Sequence, residues 1–234
     1  MSKTARARRY ILSTRPVLYI DLSKHAGGQF RSDDGIGHLC TVTEATWRSQ
    51  GRTFDGVDDT IAVAEGADTA LDLTTELTYE CWVKPTNGGD THGRFMSKTS
   101  ASPYSTRVCL LGKDTDDETN VRWEQSDIGV LNSGTGKMTV DVWNHVVGTF
   151  YYEAPGDSTT RRIHVNGIQI ITETVTGAFA LPITSTAGGV LWLGTLFTTN
   201  QNFLGTIGEV RIYNRALSGI EIMRNYMATK WRYR

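Results

Sequence analysis

Three carboxylates lie within five residues in the stretch FDGVDD, residues 54–59. Paired carboxylates are the acid and base groups of glycosidases, and clustered carboxylates also bind metal ions. The glycine in Asp55-Gly56 favours a bend, however, and acids placed around a bend do not share one strand face. We therefore interpret the stretch mainly as a turn, with Phe54 in the core and the last two aspartates leading into a strand over 60–63.

Calcium binding is a second chemistry that the acidic residues offer. Ca²⁺ takes about six to eight oxygen ligands, usually from carboxylates and carbonyls on loops. Asp33 and Asp34 lie in the glycine-containing segment SDDGIG and are the first candidates, whereas the acidic stretch 114–118 lacks the pattern of an EF-hand loop. The alternative for both clusters is a solvated loop in which Asp side chains support turns. The sequence predicts one structural Ca²⁺.

Sugar binding needs an aromatic ring on which a pyranose can stack, next to polar groups that fix its hydroxyls. Side chains in or near predicted loops are the candidates for carbohydrate binding: His92, Tyr104, Trp123, Asn200 and Asn202. Ordinary packing is the alternative for each aromatic residue. Trp82, Trp143 and Trp192 lie inside strand patterns and are predicted to be core or sheet-face residues.

Charge and composition limit the partners. The formal net charge of −1 argues against general attraction to nucleic acid or to anionic membranes. Basic residues are concentrated at both ends of the chain: Lys3, Arg6, Arg8, Arg9, Lys230, Arg232 and Arg234. Short basic blocks of this kind are weak signals for nucleic acid. We expect no nucleic-acid partner and basic terminal arms that contact neighbouring subunits.

Targeting signals are also missing from the sequence pattern. No apolar run approaches the roughly 20 residues of a membrane span, and Arg15 and Pro16 interrupt the apolar stretch near the N-terminus. Cys40, Cys81 and Cys109 are widely spaced, without the pairing typical of disulfide frameworks or zinc sites. These features predict a protein made in the reducing cytoplasm without a signal peptide and without membrane insertion.

Strand patterns position these candidates. In RIHVNGIQII, Asn166-Gly167 predicts a type I′ turn that places Val165 opposite Ile168 and Ile163 opposite Ile170. Four further stretches favour strands: LTYECWVKP, WNHVVGTFYY, VLWLG and GEVRIYN. In SGIE, Ser218 and Glu221 fit a capping box that starts a short helix ending at about Tyr226.

These elements predict an all-β fold, an antiparallel β-sandwich with long rim loops and a short C-terminal helix. The long polar segments lack the composition of interdomain linkers. We predict a basic N-terminal arm over 1–16, one domain over 17–228 and a basic tail over 229–234.

The order of six motifs indicates a family. They are SDDGIGHLCTVTEATW, FDGVDDTIAV, LTYECWVKP, WNHVVGTF, IHVNGIQI and FLGTIGEVRIYNRALSGIEI. Together they resemble the concanavalin A-like lectin/glucanase superfamily, and within it the laminin-G-like (pentraxin-like) jelly roll, over residues 17–228. The resemblance implies a jelly roll but little about function, because such modules serve as lectins, adhesins and spacers.

The resemblance also bears on the metal. It implies that the last strand lies beside the SDDGIG loop, so that Glu209 joins Asp33 and Asp34 as a metal ligand. The family pattern is Ile-Asp-Glu-Val, and residues 207–210 of this chain are Ile-Gly-Glu-Val. Gly208 therefore stands where the family has an aspartate. The family pattern also has Ser and Asn where this chain has Asp34 and Ile36. These departures remove one carboxylate and alter the predicted calcium site.

A glycosidase would need a different pattern. The related glucanases place Glu-x-Asp-x-x-Glu on one strand, and this chain has no such spacing around Glu80 or Glu124. The sequence over 134–136 is not a nucleophile elbow either. We therefore predict that the protein is not an enzyme, and glycoside hydrolase remains the third hypothesis.

The leading hypothesis is a non-catalytic, lectin-like phage or virus structural protein, such as a capsid-decoration or tail protein, with a surface or glycan-recognition role. Its predicted partners are glycans, neighbouring capsid or tail subunits bound through the terminal arms, and further copies in a homo-oligomer. Its predicted location is the virion. The alternative is a free-standing carbohydrate-binding or adhesion protein.

Overall fold

A computed structural model describes residues 15–64, 70–89, 92–99, 107–114, 117–125, 128–153, 158–177, 189–196 and 201–234. Tyr104, Asn200 and the first fourteen residues of the N-terminal arm lie outside these ranges.

Strands dominate the described chain. They are β1 (Leu18–Asp21), β2 (Gln29–Arg31), β3 (Leu39–Thr43), β4 (Thr46–Arg48), β5 (Gly51–Asp55), β6 (Thr60–Val63), β7 (Glu76–Pro85), β8 (Arg94–Thr99), β9 (Arg107–Asp114), β10 (Asp117–Gln125), β11 (Gly129–Asn132), β12 (Asn144–Glu153), β13 (Ser158–Val165), β14 (Ile168–Thr176), β15 (Leu191–Leu193) and β16 (Leu204–Tyr213). Helix α1 (Gly219–Thr229) and a 3₁₀ turn (Lys230–Arg232) follow.

Two eight-stranded antiparallel sheets form a sandwich. The first sheet has the order β14-β13-β12-β7-β16-β5-β4, with β1 also paired to β16, and the second has the order β11-β10-β9-β8-β15-β6-β3-β2. Apolar side chains from both sheets form one core between them. The predicted all-β sandwich with a short C-terminal helix is confirmed.

Alternation along β7 explains its place at the centre of the first sheet. Leu77, Tyr79, Cys81 and Val83 enter the core, because alternate residues of a strand point to one face. The intervening residues, among them Glu80, face the other side, where α1 packs: the Glu80 carboxylate accepts a hydrogen bond from the Asn225 amide of the helix at 2.8 Å.

The β13–β14 hairpin has the predicted turn and one difference in register. Asn166 and Gly167 both have positive φ, 52° and 81°, and Val165 pairs with Ile168 as predicted. The predicted pairing of Ile163 with Ile170 is wrong, because the register shifts between Ile163 and His164 and Ile163 pairs with Ile171. A bulge of this kind adds one residue to one strand without changing the turn.

The FDGVDD stretch is a turn between β5 and β6. Phe54 is fully buried, and the Asp59 carboxylate accepts the Asp55 backbone N–H at 2.9 Å. Gly56 takes a left-handed φ of 79° between them. The predicted turn and the strand beginning at Thr60 are confirmed.

Helix α1 begins with the predicted capping box. The Ser218 hydroxyl accepts the Glu221 N–H, and the Glu221 carboxylate accepts the Ser218 N–H at 2.9 Å. The helix continues past the predicted end at Tyr226 to Thr229, whose hydroxyl accepts the indole N–H of Trp82 at 2.9 Å.

The predicted C-terminal tail packs on the first sheet. The Tyr233 ring stacks on Trp82 with centroids 4.5 Å apart. Arg232 forms ion pairs with Asp21, at 2.7 Å, and with the buried Glu209. A side chain at Gly208 would place its Cβ 2.5 Å from the Tyr233 ring, which explains the glycine at this position.

Candidate carbohydrate-binding face

A polar face lies on the outer side of the second sheet. Its side chains alternate with core residues along β10 and β15, whereas an irregularity in β8 places both Phe95 and Met96 in the core. We define the polar face as Arg94, Ser97, Arg122, Glu124 and Trp192. Strand pairing aligns these residues across β9: Glu124 and Ser97 both pair with Leu110, Ser97 also pairs with Trp192, and both arginines pair with Gly112.

Gly112 allows the two arginines to approach the sheet. A Cβ at this position would lie 2.6 Å from the Gly93 carbonyl oxygen and 3.0 Å from the Arg94 Cδ. The absence of a side chain therefore leaves room for the Arg94 side chain to cross β9 between β8 and β10.

Arg122 bridges two carboxylates of the polar face and its edge. It donates to Glu124 Oε2 through Nε at 2.9 Å and Nη2 at 2.7 Å, and to Asp114 Oδ1 through Nη1 at 3.1 Å. Both carboxylates are therefore engaged by one guanidinium. This geometry orients the charged groups without placing an unpaired acid on the face.

Arg94 is fully buried and fixed. Its Nε donates to the Gln201 side chain at 2.7 Å, and its Nη1 donates to the Lys113 carbonyl at 3.2 Å. His92 is half-buried beside this group, where burial lowers its pKa and the charges of Arg94 and Arg122 lower it further. A neutral imidazole offers both a donor and an acceptor to a sugar hydroxyl.

Asn202 lies near one end of β15. Its side-chain oxygen accepts the Thr195 hydroxyl at 2.6 Å, and its amide donates to the Val57 carbonyl. Asn202 therefore connects the FDGVDD turn to the segment that follows β15. Its role in sugar binding stays a prediction.

The prediction for Trp123 is wrong. This residue lies in β10 rather than in a loop, and its ring is fully buried in the core. The indole N–H donates to the Thr149 carbonyl at 3.1 Å, and the ring lies edge-on to Tyr79. A Cβ at Gly148 would lie 2.5 Å from this ring, so the core leaves no face for a sugar.

Trp192 is the tryptophan that the sheet presents on the polar face. Its neighbours Leu191 and Leu193 are fully buried in the core, whereas Trp192 is partly exposed. The alternation in LWL was the sequence signal for this orientation. This local alternation could not predict that Arg122 and Glu124 lie on the same face as Trp192, because β10 and β15 are far apart in sequence.

The structure gives Asp33 and Asp34 roles in loop structure. Asp34 accepts the backbone N–H of Tyr19 at 3.0 Å and, through its other oxygen, that of Ile36 at 2.8 Å. Asp33 accepts the backbone N–H of Asp21 at 2.9 Å. The SDDGIG loop is thereby attached to β1.

Glu209 lies beside β1 but is paired with cations of the chain. It is buried, forms ion pairs with Arg211 and Arg232, and accepts the Tyr19 hydroxyl at 3.3 Å. The structure thus does not collect Asp33, Asp34 and Glu209 into one ligand set. Guanidinium groups occupy the Glu209 oxygens that a metal would use.

Another acidic cluster has closer spacing. Among the described residues, one group of three metal-ligating side chains meets within 4.8 Å, formed by Glu44, Asp58 and Asp59. Glu44 has a left-handed φ of 60° in the turn between β3 and β4. Burial raises the pKa of Asp59, and the nearby charges of Asp55, Asp58 and Glu44 raise it further. A bound cation would reduce this repulsion.

Comparison with protein families agrees with this architecture. A family model of the concanavalin A-like lectin/glucanases superfamily matches residues 55–223. The chain belongs to this superfamily. No match was found among curated proteins.

Solved structures share the lectin-like fold at low identity. Domain 4 of AbnA, a GH43 extracellular arabinanase from Geobacillus stearothermophilus, in complex with arabinotriose, has a TM-score of 0.64 and 16% identity over 91% of this chain and 98% of that chain. Botulinum neurotoxin serotype D ligand binding domain, in complex with N-acetylneuraminic acid, has a TM-score of 0.66 and 13% identity. The match covers 93% of this chain and 52% of that chain.

A Trypanosoma rangeli sialidase in complex with sialic acid has a TM-score of 0.69 and 15% identity, with 97% of this lectin-like chain and 38% of that chain covered. This chain thus spans well under half of the sialidase. At these identities the likeness concerns the fold. No helix in the described parts of the chain has both the length and the apolar character needed to cross a bilayer.

Proposed function

We propose that this lectin-like protein is a non-catalytic carbohydrate-binding module and that the polar face holds the glycan. The supporting observation is the alignment of Trp192 with Ser97 and Glu124 in one row across the second sheet. An indole provides a surface on which a pyranose can stack. The buried Ser97 hydroxyl donates to the Thr195 carbonyl at 2.7 Å, and Arg122 holds Glu124, so the row beneath the ring is fixed.

The carboxylates of this face favour binding over hydrolysis. A glycosidase needs one carboxyl that donates a proton and a second that attacks or activates water. Here Asp114 and Glu124 share the guanidinium of Arg122, which donates to one oxygen of each carboxylate and stabilises both in the ionised form. The Arg122 bridge therefore supports a rigid recognition surface.

A glycan array tests the proposal, with arabinan fragments and sialylated glycans as the first probes because two structural neighbours hold such sugars. Trp192→Ala should weaken binding of the best ligand roughly 5-fold, since ring stacking contributes about 1 kcal/mol. Trp47→Ala is the matched control, because Trp47 is 40% exposed on the other sheet.

Two results would contradict the proposal. Equal losses for Trp192→Ala and Trp47→Ala, or no binding on the array, would exclude the polar face as a glycan site. Hydrolysis of a bound glycan that disappears in Glu124→Gln would favour the glycosidase hypothesis instead.

We further propose that the module acts as a capsid-decoration or tail subunit of a virus particle. The basic residues of the N-terminal arm support contact with a neighbouring subunit, whereas Arg232 and Tyr233 of the C-terminal segment are engaged within the chain. Antibody labelling of purified particles tests this. Unlabelled particles, together with a purified protein that does not bind added particles, would contradict the proposal.

We also propose one structural Ca²⁺, at Glu44, Asp58 and Asp59. The support is their close spacing, together with the pKa of Asp59, which burial raises and the neighbouring carboxylates raise further. Thermal unfolding with Ca²⁺ and with a chelator tests this. Ca²⁺ should raise the melting temperature of the parent protein and of Asp34→Asn but not of Asp58→Asn; the opposite pattern would favour Asp33 and Asp34.

A further inference from the structure

An apolar stripe runs along the outward side of helix α1 and its 3₁₀ extension. Ile220, Met223, Met227 and Trp231 are 67%, 37%, 53% and 50% exposed. Their spacing of three and four residues places them on one side of the helix. Large apolar side chains that are exposed to solvent next to one another indicate an interaction surface.

The opposite side of α1 is already used. Ile222, Asn225 and Thr229 are buried against the first sheet, and Asn225 donates to Glu80 at 2.8 Å. The stripe therefore cannot turn inward without breaking this packing. A helix fixed on one side presents its other side as a rigid surface.

The hairpin next to the helix extends the stripe. A Cβ on Gly167 would lie 2.9 Å from the Met223 sulfur, which shows how closely the turn and the helix pack. Ile168, the next residue, is 61% exposed. We define the apolar stripe as Ile168, Ile220, Met223, Met227 and Trp231.

The size of the stripe suits a second copy of the chain. Its five side chains expose roughly 500 Å² of apolar surface, as much as the largest patch on a typical monomer. Two copies placed face to face would bury about 1,000 Å², near the lower limit for a specific interface.

We infer that this protein forms a two-fold symmetric homodimer through its apolar stripe, with the two α1 helices antiparallel. In that arrangement Ile220 faces Trp231 of the second copy, and Met223 faces Met227. Every contact then occurs twice. Thioether side chains adapt well to such a contact.

The charges along the helix favour the antiparallel arrangement. Glu221 lies in the first turn, where it pairs with Arg215 of its own chain at 2.7 Å, and Lys230 lies just after the last turn. Antiparallel pairing therefore places Lys230 beside this ion pair of the second copy. Parallel pairing would place Lys230 beside its equivalent. The ends of the helix dipoles also attract each other when the helices are antiparallel.

The first test is the mass of the full chain over a concentration series, by sedimentation velocity. The parent protein should shift from a 25.9 kDa monomer to twice that mass as concentration rises. Met227→Glu should remain monomeric, because each dimer would bury two added charges. Leu39→Glu is the matched control, since Leu39 is 40% exposed on β3 of the second sheet.

Cysteine cross-linking then tests the direction of the helices. The three native cysteines are buried and should not form intermolecular disulfides under a mild oxidant. Combined Met223→Cys and Met227→Cys should give a covalent dimer, whereas Ile220→Cys alone should not. Efficient cross-linking of Ile220→Cys alone would indicate parallel helices and overturn the arrangement.

Other outcomes identify a different occupant. A parent protein that stays monomeric at every concentration overturns the homodimer. Binding of that monomer to phosphatidylglycerol vesicles, lost in Met227→Glu, would assign the stripe to an anionic lipid surface. A dimer that persists unchanged in Met227→Glu would place the interface elsewhere. Glycan binding by the polar face is independent of all these results.

Discussion

Gly208 illustrates how one residue determines what its neighbours can do. The family pattern has an aspartate here, but the ring of Tyr233 lies where a side chain would begin, 2.5 Å from an added Cβ. The space released by the missing carboxylate is filled by the C-terminal segment. Its Arg232 then supplies positive charge to Glu209, a residue that the resemblance assigns to a metal.

The first prediction concerns this close contact. Gly208→Ala should lower the free energy of unfolding by about 1–3 kcal/mol, because overpacking forces the Tyr233 ring to move. Gly28→Ala is the matched control, since a Cβ there meets nothing within 4 Å. Chemical denaturation measures both. In a Tyr233→Ala background, the cost of Gly208→Ala should nearly disappear; a cost that persists would contradict the explanation.

A second residue-scale prediction concerns His164, which is buried under the start of α1. Burial, and then the charges of Arg162 and His145, lower its pKa to about 4 from 6.5. The unfolded chain therefore binds a proton between these values while the folded chain does not. Stability should fall as the pH decreases from 6.5 towards 4, by roughly 3 kcal/mol from this residue.

His164→Leu tests this assignment. The difference in unfolding free energy between pH 7 and pH 4 should be smaller in the variant than in the parent protein, because the variant has no group to titrate there. A pH dependence that is the same in both proteins would show that His164 does not cause the acid sensitivity.

At the scale of elements, a buried polar network attaches α1 to the first sheet. Glu80 accepts from Arg211 at 2.8 Å, shares a hydrogen bond with His145 at 2.9 Å, and accepts from Asn225 at 2.8 Å. Burial alone would raise the pKa of Glu80, but Arg211, His145 and Asn225 lower it to about 2. The helix is therefore attached by charge as well as by apolar packing.

Replacing this carboxylate should loosen the helix. Glu80→Gln leaves Arg211 buried beside fewer negative charges, and we expect a loss of about 3–5 kcal/mol, the usual cost of breaking a buried pair. Glu153→Gln, at the exposed end of β12, should cost almost nothing. Hydrogen exchange of the α1 amides should rise in Glu80→Gln; unchanged protection of α1 would show that the network does not attach it.

Local patterns predicted the elements well where short-range chemistry decides the structure. The type I′ turn at Asn166-Gly167 and the capping box at Ser218 follow from backbone preferences. The pairing of Ile163 with Ile171 and the burial of Trp123 depend on tertiary packing. No local pattern contains them.

Predicting the polar face would require contacts between residues still further apart in the sequence. Its rows depend on the register of β8, β9, β10 and β15. The chemistry of Arg122 and Glu124 was visible as residue types, but their common face with Trp192 was not.

At the scale of the whole molecule, the last five residues decide whether the C-terminus is an arm or part of the domain. Tyr233 stacks on Trp82, and Arg232 pairs with Asp21 across 211 residues of sequence. Trp82 lies on the central strand β7, and Asp21 lies on β1, which pairs with the central strand β16, so the loss of both anchors should destabilise the whole sheet. Deletion of 230–234 should therefore lower the melting temperature of the single transition by several degrees, with a cost of about 3 kcal/mol or more. Arg234→Ala is the control, because Arg234 is exposed and should leave the transition unchanged. A truncated protein as stable as the parent would mean that the segment is only a tail.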